Sequence, residues 1–324
     1  MTKAELTKYV KDTARLHGAV LVGIAPIERF DPMPPFYDKP PEYGHPKFYV
    51  PDAKSVISFA MPILNPVVDG PANAADLDME FIPPDIKHQW LDVFYDRVGH
   101  KVHDDMLEFI GQIVGQNLVM QGYEAMFFPT TGISVPVPPG KKYFDLWSGK
   151  GKYSKFGYHH GPFSHRHAAT RAGLGEFCLS NIVLTPEFGP RVRFNTVVTN
   201  AELEPDPLIT EPICKRGKCG FICMKACHMD VISLRDDAEV RDYRSVDFKI
   251  DMENIFIDTP SKSLPQRCMD RRNKCPNAPV RGDCMRGCPA GKGRRILHEG
   301  LRKLIREEAG QPLRKYKFDF KGEQ

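Results

Sequence analysis

The chain has no hydrophobic run long enough to cross a membrane. Its longest apolar stretch, VISFAMPIL at residues 56–64, is interrupted by Pro62, whereas a spanning helix needs about 20 apolar residues. An export signal is missing too. The opening MTKAELTKYVKDTARLHG holds neither a basic segment leading into an apolar one nor a twin arginine, so a cytoplasmic location with reduced thiols is expected. No two cysteines are spaced as CxxC, which removes the usual knuckle of a structural zinc site and leaves zinc only as an alternative. Internal repeats and low-complexity tracts are absent, which excludes stacked-repeat architectures. A small disulfide-stapled scaffold is excluded by size, since a chain of 36.7 kDa buries one or two ordinary cores unaided.

What the chain does contain is nine cysteines, and their placement is uneven. Cys214, Cys219, Cys223 and Cys227 form one group, Cys268, Cys275, Cys284 and Cys288 a second, and Cys178 stands apart among apolar residues. Three cysteines a few residues apart, with a fourth sent to a neighbouring cluster and followed by proline, is the pattern of ferredoxin-type 4Fe-4S ligation. Pro289 follows Cys288 and Pro276 follows Cys275. Two cubanes would account for all eight grouped thiols, with zinc or reduced structural cysteines as the alternatives. Exchange of fourth ligands assigns Cys214, Cys219, Cys223 and Cys288 to one cluster and Cys227, Cys268, Cys275 and Cys284 to the other. The spacing C-x4-C-x3-C-x3-C is looser than the usual run, and His228 replaces proline after Cys227, so one ligand loop must bulge.

Charge divides the chain in the same place. From Cys214 onward there are 25 Lys and Arg against 16 Asp and Glu, whereas the preceding residues hold 20 against 25. Part of the basic excess can neutralise anionic clusters and raise their potentials. Runs such as MDRRNK and GKGRR offer a docking surface for an acidic ferredoxin or flavodoxin, or contacts to RNA phosphates; a plain solvated surface is the alternative for any one run.

The periodicity predicts a mixed fold. A first helix with Leu6, Tyr9, Val10, Thr13 and Leu16 on its apolar side ends at Gly18 and leads into the strand AVLVGIAP. A second strand, KSVISFAMPI, follows a proline-rich loop. Residues 87–121 carry helical spacing through Trp90, Phe94, Val98, Val102, Met106, Phe109, Ile113 and Leu118, with a break expected near Gly99 and a stop at Gly122. EAMFFP reads as a further strand, and GKKYFDLWSGKGKYSKFG as a surface loop. The fold class is α+β or α/β with a cluster-binding appendage.

The segments RAGLGE, IVLTPEFGPRVRF and VVTNAELEPD, followed in that order by the two cysteine groups, resemble the family that joins epoxyqueuosine reductases and reductive dehalogenases. The match runs roughly over residues 54–291. It implies a nitroreductase-like core (1–205) that binds a corrinoid in place of flavin (FMN being the alternative), a ferredoxin-like two-cluster domain (206–295) and a basic carboxyl-terminal helix and tail (296–324). The expected function is a cobalamin- and iron-sulfur-dependent oxidoreductase that cleaves a carbon-halogen or carbon-oxygen bond of a small organic substrate, of a kind handled anaerobically. After GLG the chain has Glu176, Phe177, Cys178, Leu179 and Ser180 where epoxyqueuosine reductases carry a tryptophan and a glycine-lysine-asparagine run, and His159 stands where they place an acidic residue. This leans toward the dehalogenase branch. A cluster-only electron-transfer protein and a tRNA-modifying reductase stay open as alternatives; the short stretch after the clusters argues against tRNA.

Within that resemblance Tyr158, His159 and His160 fall in the proton-donor neighbourhood and are expected to face the cavity. His165, His167, Gly173, Gly175 and Glu176 are the cofactor-binding candidates, the two histidines also being plausible as capping or surface groups. A metal site at these histidines lacks a neighbouring thiol or carboxylate. Arg191 and Arg193 alternate on one strand face and suit an anionic leaving group or a polarised carbonyl; ordinary salt bridges are the alternative.

Overall fold

The computed structural model describes residues 1–31, 45–69, 95–130, 163–214, 219, 222–225, 232–233, 255–260, 262–263 and 282–291. The chain forms two compact units that interleave along the sequence. The first comprises Met1–Met61, His103–Leu174 and Arg193–Ile209, the second Pro62–Val102, Gly175–Val192 and Thr210–Gln324.

The first unit is built on a four-stranded sheet in the order β1-β2-β6-β3. β1 (Leu21–Pro26) pairs antiparallel with β2 (Ser55–Pro62), and β3 (Ala125–Phe127) pairs antiparallel with β6 (Val192–Thr199). Both central strands, β2 and β6, are buried along nearly their whole length, so each of their faces is covered and the alternation of a half-exposed strand is lost. One face carries Val22, Ile24, Ile57, Phe59 and Val197 against the helices α1 (Lys3–Leu16) and α2 (His103–Met120). The opposite face carries Ala25, Val56 and Val198 against Phe30, Phe128, Phe163 and the short helix α3 (His165–Arg171). Phe128 and Phe163 stack there at 4.5 Å between ring centroids.

Local chemistry explains where the helices begin. Thr2 caps α1 in a capping box with Glu5, each side chain meeting the other residue's backbone N–H. Ser164 caps α3 by accepting from the backbone N–H of His167. The segment AELEPD after β6 is held by side chains. Leu203 N–H donates to Ser55, Glu204 N–H to Thr7, and the Asp206 carboxylate accepts from Ile24 N–H at 2.7 Å and from Lys11 at 2.6 Å.

Two helical faces differ from the sequence expectation. α1 buries Leu6, Thr7, Val10, Thr13 and Ala14, while Tyr9 and Leu16 are exposed. In α2 the buried set is His103, Leu107, Ile110, Gly111, Val114, Gly115 and Leu118, while Met106 and Phe109, and Val102 just before the helix, are exposed. The cause lies just before α2, where residues Tyr95–Val102 form a π-helix. Its wider turn shifts the face by about one residue relative to an α-helical count carried through from residue 87. Residues 87–94 of the expected helix lie outside those described, as do the loop at 140–157 and the tail at 296–324.

In the second unit, β4 (Glu176–Phe177) and β5 (Val183–Leu184) form a small hairpin, turned through Asn181 in the left-handed region. β7 (Ile232–Ser233) pairs with β8 (Lys262–Ser263). The helices α4 (Ile222–Lys225) and α5 (Asp283–Gly287) pack against one another. Among the described residues no helix is long and apolar enough to cross a membrane.

Candidate functional site

Six of the nine cysteines, Cys178, Cys214, Cys219, Cys223, Cys284 and Cys288, fall among the described residues, and none of the six is in a disulfide. They gather in the second unit. Cys223 on α4 and Cys284 on α5 are brought together by the packing of those helices. Enclosure of its sulfur pushes the Cys223 thiol well above its ordinary pKa, and the nearby thiols of Cys178, Cys284, Cys288 and Cys219 push it the same way. Cys214 and Cys288 pack against the apolar cluster of Cys178, Leu184 and Ala290. The four cysteines assigned to the first cluster are thus linked in turn, Cys219 to Cys223, Cys223 to Cys288, and Cys288 to Cys214 through a shared core. Of the second set, Cys284 joins this gathering; Cys227, Cys268 and Cys275 lie outside the described residues.

Such a donor set has a definite chemical preference. Soft sulfur donors crowded in an enclosed pocket resist becoming thiolates unless a cation compensates them, and iron-sulfur or zinc centres supply that compensation. Among the described residues no group of three or more Cys, His, Asp or Glu side chains is placed to hold a metal ion. The thiols suit a cubane in donor type.

Cys178 is the residue that sequence spacing set apart and the fold brings in. It is buried at the end of β4, its sulfur 3.0 Å from the Ser180 hydroxyl, and burial followed by the proximity of Cys288 raises its thiol pKa to about 11. A strand reading of GEFC would have signalled it, since period-two alternation sets residues 176 and 178 on one side.

Glu176 shares that side. It is fully buried, and its Oε1 accepts from the backbone N–H groups of Ile213 and Cys214, each at 2.5 Å. The two glycines before it are required by close approach to the protein's own backbone. At Gly173, where φ is +73°, a Cβ would stand 2.0 Å from the Pro207 carbonyl oxygen; at Gly175 it would stand 2.0 Å from that of Leu184.

The histidines of α3 are engaged inside the first unit. His165 meets the Thr196 hydroxyl at 3.0 Å through Nδ1 and the Pro129 carbonyl at 2.9 Å through Nε2, and burial lowers its pKa to about 4. His167 contacts the Ser164 hydroxyl at 2.7 Å, and burial, then Arg166 and Arg171, hold it well below the ordinary imidazole value. Both rings are neutral near pH 7.

The arginines are paired as well. In the second unit Arg191 forms a two-pronged ion pair with Asp69, at 2.7 and 2.8 Å, and also donates to Asn65 Oδ1 at 2.9 Å. Arg286, on α5 between Cys284 and Cys288, donates to the Val68 carbonyl at 2.9 Å. In the first unit Arg193 pairs with Asp104 at 3.0 Å. Tyr158, His159 and His160 lie outside the described residues.

No family model matches the sequence. Tetrachloroethene reductive dehalogenase of Dehalobacter restrictus is 28% identical over 252 residues, covering 74% of this chain and 40% of that protein. Its counterpart in Sulfurospirillum multivorans is 28% identical over 143 residues, covering 42% of this chain and 25% of that one. The chain thus spans less than half the length of the curated relatives it matches. Among solved structures, one of a reductive dehalogenase described as B12-dependent aligns with a TM-score of 0.53 at 16% identity, over 93% of this chain and 33% of that one. A selenomethionine-labelled epoxyqueuosine reductase aligns with a TM-score of 0.50 at 17% identity, over 92% and 68%. The resemblance expected from RAGLGE and the cysteine groups is therefore found in both comparisons, and the chain shares the mixed helix-and-sheet fold of reductive dehalogenases and epoxyqueuosine reductases.

Proposed function

We propose that the chain is an iron-sulfur reductase of the reductive dehalogenase-like kind, with a nitroreductase-like core, a ferredoxin-like part holding two 4Fe-4S clusters, and cobalamin as its organic cofactor. The gathering of thiols around Cys223 in one unit carries this reading. In it, Cys214, Cys219, Cys223 and Cys288 hold one cluster, and Cys227, Cys268, Cys275 and Cys284 the other. A corrinoid, when bound, supplies the reductive cleavage of a carbon-halogen or carbon-oxygen bond. Of its described candidate contacts, His165 meets the Thr196 and Pro129 oxygens, His167 meets the Ser164 hydroxyl through Nδ1, and Glu176 accepts from the Cys214 loop. Tyr158, His159 and His160 remain the proposed proton donors, and the basic surface after Cys214 the proposed docking face for a ferredoxin or flavodoxin. The substrate class is a small organic molecule.

Anaerobic purification followed by iron, sulfide, cobalt and flavin analysis tests this. Eight irons with stoichiometric cobalt support the reading; flavin in place of cobalt replaces the corrinoid with FMN, and eight irons without either cofactor leave an electron-transfer protein. A second reading, reduction of a modified base in tRNA, is favoured by the alignment with epoxyqueuosine reductase over 68% of that chain and by the basic charge after Cys214. Tight tRNA binding that weakens steeply with salt would support it.

A further inference from the structure

The geometry points to Glu176 as a positioning residue for Cys214: we propose that its carboxylate fixes the first thiolate ligand and holds the potential of the adjoining cluster low. This rests on the cluster reading above. Glu176 is 0% exposed, and a buried carboxylate persists only where donors satisfy it. The donors found are two consecutive backbone amides, Ile213 and Cys214, aimed at the single oxygen Oε1. Two adjacent N–H groups converging on one acceptor constrain the backbone between them, and so the direction in which the Cys214 Cα–Cβ bond leaves the chain.

The mount is rigid. Glu176 is paired with Leu184 across the hairpin, Gly175 before it leaves no room for a Cβ against the Leu184 carbonyl, and Phe177 N–H after it is tied to the Phe256 carbonyl at 2.7 Å. The redox consequence follows from what the amides are not doing. Hydrogen bonds from backbone N–H groups to cluster sulfur are a main lever that raises the potential of an iron-sulfur centre, and nearby negative charge lowers it. Glu176 takes the amides of Ile213 and Cys214 for itself, which withholds them from the ligand sulfur. The cofactor-binding role that the sequence suggests for Glu176 is thereby given a specific object, the cluster ligand loop.

The test uses the full chain, purified without oxygen, as wild type, Glu176→Gln and Glu176→Ala. Iron is counted per chain, the cluster potentials are measured by redox titration followed by electron paramagnetic resonance, and exchange of the Ile213 and Cys214 amides is followed by mass spectrometry. In Glu176→Gln the iron count is expected to hold while one cluster reduces at a higher potential and the other is unmoved. In Glu176→Ala the iron count is expected to fall by about half, with faster amide exchange at residues 213–214. Unchanged potentials in the glutamine variant together with full iron in the alanine variant, in a wild type that carries its clusters, overturn the role of Glu176 alone. A wild type without iron overturns the cluster reading as well.

Discussion

Arg191 illustrates how a polar side chain is decided by its partners. Its side chain is 3% exposed and that of Asp69 21%, so removal of the guanidinium would strand a largely desolvated carboxylate. Arg191→Ala is expected to cost about 2–4 kcal/mol in denaturant unfolding, below the full range for a buried pair because Asp69 keeps some water. A loss smaller than about 0.5 kcal/mol would show that the pair does not support the fold. His165 makes a pH prediction. Its folded pKa of about 4 lies below the ordinary value of 6.5, so between these values the unfolded chain binds more protons, and stability falls as pH drops from 6.5 towards 4. The ring should stay neutral in nitrogen-sensitive NMR at pH 6; a protonated His165 there would contradict the assignment. Residue types were legible at this scale and partners were not. The alternation of Arg191 and Arg193 is in the sequence, but Asp69 and Asp104 are remote from them along the chain.

The helix α2 carries the clearest prediction at the level of elements. Leu107 is fully buried and Phe109 is 56% exposed, so Leu107→Ala should cost about 2–5 kcal/mol through the lost contacts and the cavity left behind. Phe109→Ala should stay within about 0.5 kcal/mol. The sequence spacing through Val102, Met106 and Phe109 favours the opposite order, so the pair of variants separates the two registers directly. Helix and strand types were readable from periodicity and glycine stops. The face of α2 was not, because a π-helical turn leaves no mark in composition. β2 was readable as an apolar run, and its burial on both faces agrees with that absence of alternation. The extent of β6 was blurred by the Asn195 and Thr196 pair, polar residues that the fold nevertheless buries. Asn195 pays for that burial by donating to the Phe128 carbonyl and the Thr130 hydroxyl.

At the scale of the whole molecule, a chain that leaves and re-enters each unit gathers thiols from three separate stretches. Cys178, the run from Cys214 to Cys223, and the pair Cys284 and Cys288 reach one neighbourhood in the second unit. Cys227, Cys268 and Cys275 lie outside the described residues; that Cys219, Cys223, Cys284 and Cys288 would lie near one another was legible from spacing. The interleaving was not, since it depends on which strands and helices pack together rather than on any boundary in composition. The central claim is that this neighbourhood exists to hold iron and sulfide, with Glu176 steadying the first ligand. Quantification of iron and acid-labile sulfide in the full chain, purified without oxygen, measures it most directly. Close to eight of each per chain, with absorption that bleaches on reduction, is the predicted result; stoichiometric zinc, or thiols without metal, would contradict it.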